Sequence, residues 1–203
     1  MDKVLTNENT SPEEKDGYYK YLYQSGEKWK EGNIKDGKED GLWIIWYKNG
    51  QKDLERNYKD GELDGLFTSW YDNGQKEMES HHKKGKFDGP QTFWYKSGGI
   101  CAKEYYKDGN ALGESKYWSP DGKESSTMTH KKGVQYGKST FWYENGQKKR
   151  EYFVNKDKDN KVYRYTEWYE NGQMREKGIY DLNEKGQIPT IRLDEDGNEI
   201  ERS

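Results

Sequence analysis

The chain has 203 residues, of which 29% are hydrophobic, 36% are charged and 15% are aromatic. Its 35 basic and 38 acidic residues give a net charge of −3, without the basic excess typical of nucleic-acid-binding proteins. The single cysteine excludes an intramolecular disulfide framework, and the aromatic content, together with 23 glycines and only 4 prolines, argues against a disordered chain.

The first 16 residues precede the regular pattern that fills the rest of the chain. They read MDKVLTNENTSPEEKD and contain no apolar stretch of the kind found in a signal peptide. No apolar run elsewhere approaches the length of a membrane span. We therefore expect residues 1–16 to be a mobile N-terminal segment and the protein to be cytoplasmic.

From residue 17 onward, glycines recur at intervals of 24 residues. The first series is Gly17, Gly41, Gly65, Gly89, Gly113 and Gly137, and two further glycine series keep the same step. A tryptophan series runs between them at Trp46, Trp70, Trp94, Trp118 and Trp142. A fixed period of this kind indicates tandem structural repeats. We assign residues 17–186 to a repeat domain and residues 187–203 to a degenerate terminal hairpin or cap.

Residues 41–64 show what one repeat builds. Asn49-Gly50 and Asp60-Gly61 are both hairpin-turn sequences, because a two-residue type I′ loop needs positive φ at both central residues. The segments 42–48 and 51–59 are rich in β-prone residues. The sequence therefore predicts an all-β fold, an elongated antiparallel meander of tandem 24-residue β-hairpins.

Two-residue loops at both turns would fix the strand register of this repeat. The predicted pairs are Ile45 with Leu54, Trp43 with Arg56, Tyr47 with Lys52, Tyr58 with Leu63, and Leu54 with Phe67. Strand alternation then puts on one face Trp43, Ile45, Tyr47, Leu54, Tyr58, Leu63 and Phe67, and on the other face Trp46, Asp53 and Glu55. A three-residue loop with a bulge at either turn would invert parts of this assignment.

The string W-Y-x-N-G-Q-x occurs at residues 46–52, 70–76, 142–148 and 168–174, and a linker Y-K-D-G-x-x-D-G follows at residues 58–65. With the 24-residue step, this pattern resembles the MORN-repeat family, and in particular its bacterial variant, which includes proteins named as YwqK-like antitoxins. The resemblance covers residues 17–186, although the units around residues 97–99 and 119–121 depart from the motif. It implies a β-hairpin array that binds proteins, in some members by neutralising a toxin. Eukaryotic relatives have been linked to membrane lipids.

The sequence contains no pattern that indicates catalysis or a bound cofactor. His82 and His130 occupy the same slot two repeats apart, roughly 19 Å on the spacing of neighbouring strands, which is too far to share a zinc ion. Cys101 has no evident base that would activate it. Residues 155–159 alternate like the start of a calcium-binding loop, but the glycine of that loop is missing. We therefore expect a protein that is not an enzyme and has no cofactor or metal site.

Positions that differ between repeats are the candidates for partner contacts, because repeat proteins obtain specificity by varying side chains on a fixed lattice. The second and fourth positions after each leading glycine vary, and a tyrosine ladder lies on the same predicted face. The candidate partner-binding residues are Trp43, Ile45, Tyr47, Phe67, Tyr71, Phe93, Tyr95, Tyr117, Phe141 and Tyr143. The alternative is that this apolar face is simply the packed side of the sheet.

Together these features suggest an intracellular protein-binding module, specifically an antitoxin or immunity protein that neutralises a cognate toxin by direct binding. The mildly acidic balance of charge suits a basic toxin. A generic protein-interaction scaffold and a membrane-lipid-binding module are the alternatives. The mixing of lysine with glutamate argues against the cationic patch that lipid binding needs. We expect a monomer with no nucleic-acid partner.

Overall fold

A computed structural model describes the backbone of residues 3–6, 16–157, 160–181 and 186–202, and the side chains of residues 16–154, 164–179 and 191–200. All regular structure in these ranges is β, which confirms the predicted fold class, and they contain no helix that could cross a membrane. The strands are β1 (Lys3–Thr6), β2 (Gly17–Leu22), β3 (Lys28–Lys35), β4 (Lys38–Trp46), β5 (Lys52–Lys59), β6 (Glu62–Trp70), β7 (Lys76–Lys83), β8 (Lys86–Trp94), β9 (Ile100–Lys107), β10 (Asn110–Ala111), β11 (Gly113–Trp118), β12 (Glu124–Lys131), β13 (Val134–Gln135), β14 (Gly137–Trp142), β15 (Lys148–Asp157), β16 (Asn160–Trp168), β17 (Met174–Asp181), β18 (Gly186–Leu193) and β19 (Glu199–Arg202).

The chain divides into two compact units, residues 1–100 with 106–109 and residues 101–105 with 110–203. In the first unit, β2 to β8 pair antiparallel in chain order, and β1 runs parallel to β2. In the second, β11, β12 and β14 to β19 pair antiparallel in the same way. Each unit is therefore a meander of hairpins, as predicted. The boundaries of the repeat domain that the sequence predicts, at residues 16 and 186, stay predictions.

The Asp60-Gly61 turn has the predicted two-residue form. Asp60 and Gly61 have φ values of 54° and 81°, and Lys59 pairs with Glu62 across the loop. Positive φ at both central residues is the mark of a type I′ turn. The same backbone recurs at Asp36-Gly37, Lys84-Gly85, Asp108-Gly109 and Lys132-Gly133.

The Asn49-Gly50 turn differs from the prediction, because its loop has three residues. The amide of Gly50 donates to the carbonyl of Tyr47 at 2.9 Å, and the amide of Tyr47 donates to the carbonyl of Gln51 at 2.9 Å. Only Gly50 has positive φ, 83°. Asn49 instead accepts a hydrogen bond from the amide of Gln51 through its side-chain oxygen, at 3.0 Å, which favours a type I turn followed by glycine. Asn-Gly suits either loop, so the sequence could not choose between them.

A bulge at Asp53 restores the register that the longer loop would shift. Ile45 pairs with Leu54 as predicted, whereas Trp46 pairs with Lys52 and leaves Asp53 as the extra residue. The predicted pair of Tyr47 with Lys52 is therefore wrong. Asp53 does not lie on the face of Trp46 as predicted, because the bulge turns its side chain towards the Tyr47 hydroxyl.

A second irregularity separates β5 from β6. The predicted pairs of Trp43 with Arg56 and of Tyr58 with Leu63 are confirmed. The predicted pair of Leu54 with Phe67 is wrong, because the pairing shifts at Gly65, whose φ is +116°. Leu54 pairs with Ser69, and Arg56 with Phe67. The shift is by two residues, so each side chain stays on its predicted face.

The register gives each sheet two distinct faces. One, which we call the varied face, carries the third and fifth residues of each repeat, such as Trp43 and Ile45, with their cross-strand partners Arg56 and Leu54. The other, which we call the tryptophan face, carries the fourth and sixth residues, such as Ile44 and Trp46, with Glu55 and Lys52 opposite them. The recurring tryptophans therefore lie on the tryptophan face, whose second and fourth residues change between repeats, as do the third and fifth residues of the varied face.

Trp43 lies at the centre of a hydrophobic cluster on the varied face. It is 1% exposed and packs with Tyr19 and Ile34. Its indole nitrogen donates to the carbonyl of Asn33 at 3.0 Å. Gly32 provides the space for the ring, since a Cβ at this position would lie 2.2 Å from the Cδ2 atom of Trp43. A glycine on one strand is therefore matched to a tryptophan on the next.

Candidate interaction surface

Six of the ten candidate partner-binding residues lie in strands on the varied face, and Tyr47, Tyr71, Tyr95 and Tyr143 lie in the turns that follow. The ten are not equally accessible. Trp43 is a core residue, at 1% exposed. The other nine are half-buried: Ile45, Tyr47, Phe67, Tyr71, Phe93, Tyr95, Tyr117, Phe141 and Tyr143. Half-buried aromatic rings are available for contact while held by their neighbours, which is the usual situation of interface anchors.

The tyrosines of the W-Y-x-N-G-Q string tie each repeat to the next. The Tyr47 hydroxyl donates to the carbonyl of Trp70 at 2.7 Å, and the Tyr71 hydroxyl donates to the carbonyl of Trp94 at 2.8 Å. The same bond is made by Tyr23 to Trp46, Tyr143 to Trp168 and Tyr169 to Leu193. These tyrosines, which we call ladder tyrosines, therefore recur because the array needs them, and the sequence reasoning missed this role.

The asparagine and glutamine of the same string also act between repeats. The side-chain amide of Asn49 donates to the carbonyl of Asp72 at 2.8 Å. Gln51 packs on Gly74 of the next turn, where a Cβ would lie 3.0 Å from its Oε1 atom. Equivalent asparagine bonds join Asn73 to Lys96 and Asn145 to Glu170. The motif is thus a device for stacking one hairpin turn on another.

The type I′ turns at the opposite end of the hairpins are stacked by backbone bonds. The amide of Gly61 donates to the carbonyl of Glu39 at 3.1 Å, and the amide of Gly85 donates to the carbonyl of Leu63 at 2.8 Å. The carboxylate of Asp64 adds a bond from the amide of Lys84, at 3.2 Å. Both ends of each hairpin are therefore joined to the neighbouring repeat by recurring residues.

Phenylalanine in place of Tyr47 is expected to reduce the unfolding free energy by about 0.5–1.5 kcal/mol at neutral pH, because it removes the bond to Trp70. Burial is the largest cause that raises the pKa of Tyr47 to about 12, followed by hydrogen bonding of its hydroxyl to the Asp53 carboxylate and by the negative charge of Asp53. The folded protein therefore holds this proton more tightly than the unfolded chain, whose tyrosine has a pKa near 10. The stabilisation is complete below pH 10 and is lost as pH rises to about 12.

Chemical denaturation between pH 7 and pH 12 measures this effect. Wild type should lose more stability than Tyr47→Phe over the alkaline part of the range. Tyr105→Phe, which alters a tyrosine that is 43% exposed, is the control at neutral pH and should change stability by less than about 0.5 kcal/mol. Parallel alkaline slopes for wild type and Tyr47→Phe would contradict the role of this hydroxyl.

The tryptophan face carries a ladder of lysines laid over the indole rings. The Lys52 ammonium lies 5.6 Å from the ring centroid of Trp70, and Lys76 lies 5.6 Å from that of Trp94. Each of these lysines also pairs with a glutamate three residues later, Glu55 and Glu79 respectively. This face therefore neutralises its own charges and repeats the same chemistry from one hairpin to the next.

The varied face, in contrast, holds polar groups whose hydrogen-bonding capacity is unmet. Four buried side-chain atoms in the described part of the chain have no hydrogen-bond partner: Arg56 Nε, Ser80 Oγ, His82 Nδ1 and Gln91 Nε2. All four residues lie on β5 to β8, and Ser80 is cross-strand from Gln91. Buried polar groups are normally satisfied, so a cluster of exceptions marks a place where a further ligand or water belongs.

His82 and Cys101 are the residues whose side chains could act in catalysis or metal binding. His82 lies between two phenylalanine rings, with centroids 5.7 Å from Phe67 and 4.6 Å from Phe87. Burial lowers its pKa, and the neighbouring His81 lowers it further. Cys101 is a free, half-buried thiol. Within the described ranges no three His, Cys, Asp or Glu side chains cluster as metal ligands would, and the side chains of residues 155–159 lie outside those ranges.

Comparison with known protein families identifies the repeat. A family model described as MORN repeat variant matches residues 39–60, 63–84, 87–110, 135–156 and 164–181, which together make up more than half of the chain. A search of curated proteins finds no match to the chain. Each matched segment contains the tryptophan of one hairpin, and the hairpin of Trp118 lies between two matched segments.

Proposed function

The chain belongs to the MORN repeat variant family, and on that premise we propose that it binds another protein through the varied face. We further propose that this partner is a toxin and that the chain acts as an antitoxin or immunity protein, neutralising the toxin by direct contact. In this role the chain works in the cytoplasm as a monomer and carries out no catalysis of its own.

One observation carries the proposal: the recurring tyrosines and turn residues join one repeat to the next, whereas the third and fifth residues of the varied face change between repeats and include half-buried aromatic rings. Its third residues are Tyr19, Trp43, Phe67, Gln91, Ser115 and Ser139, and its fifth residues are Tyr21, Ile45, Ser69, Phe93, Tyr117 and Phe141. Variation of side chains on a fixed lattice is how repeat proteins obtain a surface that is specific for one partner.

The chemistry of the varied face suits a protein rather than a lipid. It offers the half-buried aromatic rings of Phe67 and Phe93 as anchors. Lys52 and Lys76 are paired with glutamates on the tryptophan face, and Lys30 is paired with Glu39 on the varied face. These lysines therefore do not form the unpaired cationic patch that an anionic membrane would attract. The net charge of −3 favours a basic partner.

Affinity capture from the native cells, read by mass spectrometry, tests the proposal. The wild-type chain should retain one protein at stoichiometric level. The Phe67→Asp/Phe93→Asp variant should lose it, because binding would bury two unpaired carboxylates against the partner. The matched control is Leu42→Asp/Leu66→Asp, which alters two residues that are 45% and 39% exposed on the tryptophan face. It should retain the partner.

Circular dichroism and thermal melting first establish that both double variants are folded. The captured protein should then arrest growth when expressed alone and be harmless when expressed with the wild-type chain. A folded Phe67→Asp/Phe93→Asp variant that keeps the partner would refute the choice of face. A captured protein with no toxic effect would refute the antitoxin role.

A further inference from the structure

A cavity of about 360 Å³ opens beside the hairpin that departs most from the motif, and five of its six lining residues belong to the next hairpin along the chain. Its walls are Ser125, Phe141, Trp142, Lys149, Arg150 and Tyr152. Its volume is at the lower end of the range of small-molecule sites, about 300–1,000 Å³. In this hairpin Ser119 stands at the position of the ladder tyrosines, as Asp194 does in the β18–β19 hairpin, and the matched family segments leave out residues 111–134.

The cavity is the empty place of a ladder tyrosine. Tyr47 bonds the carbonyl of Trp70 and lies within the electrostatic reach of Asp53 and Glu77, one on its own hairpin and one on the next. The residues three repeat steps further along are Ser119, Trp142, Ser125 and Lys149. Three of these line the cavity, and the fourth is the serine that fails to fill it.

The chain does not fill this space with another of its described side chains. The Ser119 hydroxyl bonds within its own turn, to Asp121 and to the carbonyl of Lys123 at 3.0 Å. Lys123 reaches the carbonyl of Glu144 at 2.7 Å, and so replaces the asparagine bond of the other turns. One of the two turn-stacking bonds is therefore kept, and the tyrosine bond has no substitute in the described part of the chain.

We propose that this cavity, which we call the ladder slot, takes a tyrosine side chain presented by the protein partner. The claim that a protein partner occupies the ladder slot rests on the proposed function, whereas the claim that the slot accepts a tyrosine side chain does not. The phenol ring would pack on Phe141 and Trp142, and its hydroxyl would donate to the carbonyl of Trp142, as Tyr47 does to Trp70. Lys149 lies over the Tyr143 ring at 5.4 Å and offers its ammonium group to an acidic residue beside the incoming tyrosine.

The slot can be tested with p-cresol, which is the tyrosine side chain as a free molecule. In 15N-labelled wild-type protein, p-cresol should shift the indole signal of Trp142 and the amide signal of Lys149. Toluene, which lacks the hydroxyl, should bind about 2- to 12-fold more weakly, the range expected for one hydrogen bond. Ser119→Tyr should fill the slot, keep the fold and lose at least tenfold in affinity for p-cresol.

Tyr47→Ser provides a second test that does not depend on the folding of Ser119→Tyr. It opens the equivalent space beside Trp70, so it should bind a second molecule of p-cresol and shift the Trp70 indole signal. Absence of p-cresol binding to wild type, undiminished binding to folded Ser119→Tyr, or no second site in folded Tyr47→Ser would each overturn the slot.

The partner's use of the slot is tested by repeating the affinity capture with Ser119→Tyr. Loss of the captured protein by this folded variant supports the proposal. Retention of the protein at wild-type level overturns the partner's use of the slot and leaves the proposed binding function standing. If the wild-type chain captures no protein, both the proposed function and the partner's use of the slot are refuted. The p-cresol measurement then still tests whether the slot accepts a tyrosine side chain.

Discussion

Alanine in place of Trp43 is expected to lower the free energy of unfolding by about 3–5 kcal/mol, the usual cost of removing a large buried aromatic side chain. The indole is 1% exposed and packs with Tyr19 and Ile34. It also lies 6.3 Å from the ring of Tyr21, centroid to centroid. Denaturation by urea, followed by far-ultraviolet circular dichroism, measures the change.

The neighbouring residue supplies the control for this experiment. Leu42 is 45% exposed on the opposite face, so Leu42→Ala should change the unfolding free energy by less than about 0.5 kcal/mol. A loss below about 1 kcal/mol for Trp43→Ala would contradict the assignment of Trp43 to the core. It would instead return Trp43 to the group of residues available to a partner.

Alanine at Gly32 is expected to cost about 1–3 kcal/mol, because overfilling a packed site forces its neighbours to move. The added Cβ would lie 2.2 Å from the indole of Trp43, much closer than two carbon atoms can approach. Gly99→Ala is a matched control, since no atom lies within 4 Å of a Cβ at that position. It should be close to neutral.

A double-mutant cycle shows whether the cost comes from the indole itself. In the Trp43→Ala background the clash partner is gone, so adding Gly32→Ala should cost almost nothing further. The two substitutions should therefore be strongly non-additive, with the double variant no less stable than Trp43→Ala alone. Simple addition of the two costs would contradict the proposed match between Gly32 and Trp43.

The fold could be predicted from the sequence because turn residues recur with a fixed step. Asp-Gly, like Asn-Gly, suits a two-residue loop with positive φ at both residues, and Asp60-Gly61 has that loop, whereas Asp121-Gly122 belongs to a three-residue loop. Asn49-Gly50 has two uses, and local pairing of the Asn49 side chain with Gln51 selects the three-residue form. The error had little effect on the faces because the bulge at Asp53 restores the register.

Which side chains join the repeats and which are available to a partner could be only partly predicted. The sequence predicts Tyr47, Tyr71 and Tyr143 as partner-binding residues because they are aromatic and alternate with the varied positions. Their 24-residue step, shared with the tryptophans, was the available signal that they serve the array. Their hydroxyl groups donate to carbonyls of the following hairpin. The bonded residues are 23 or 25 positions apart in the sequence, and only the stacking of one turn on the next brings them together.

The burial of individual side chains could not be predicted from the repeat alone. Trp43, Phe67 and Gln91 occupy the same position in successive repeats, yet Trp43 and Gln91 are buried and Phe67 is half-buried. The difference depends on the residues opposite, such as Gly32, which makes room for Trp43. Likewise, the substitution at Ser119 is visible in the sequence, but the cavity depends on how six surrounding side chains are arranged.

Photo-crosslinking at two adjacent residues tests the central claim, that the varied face is the binding face. Benzoylphenylalanine is placed at Phe67 on the varied face or at Leu66 on the tryptophan face, and intact native cells are irradiated. We expect a single protein adduct from position 67 and none from position 66. An adduct from position 66 alone, or equal adducts from both positions, would contradict the assignment of binding to the varied face.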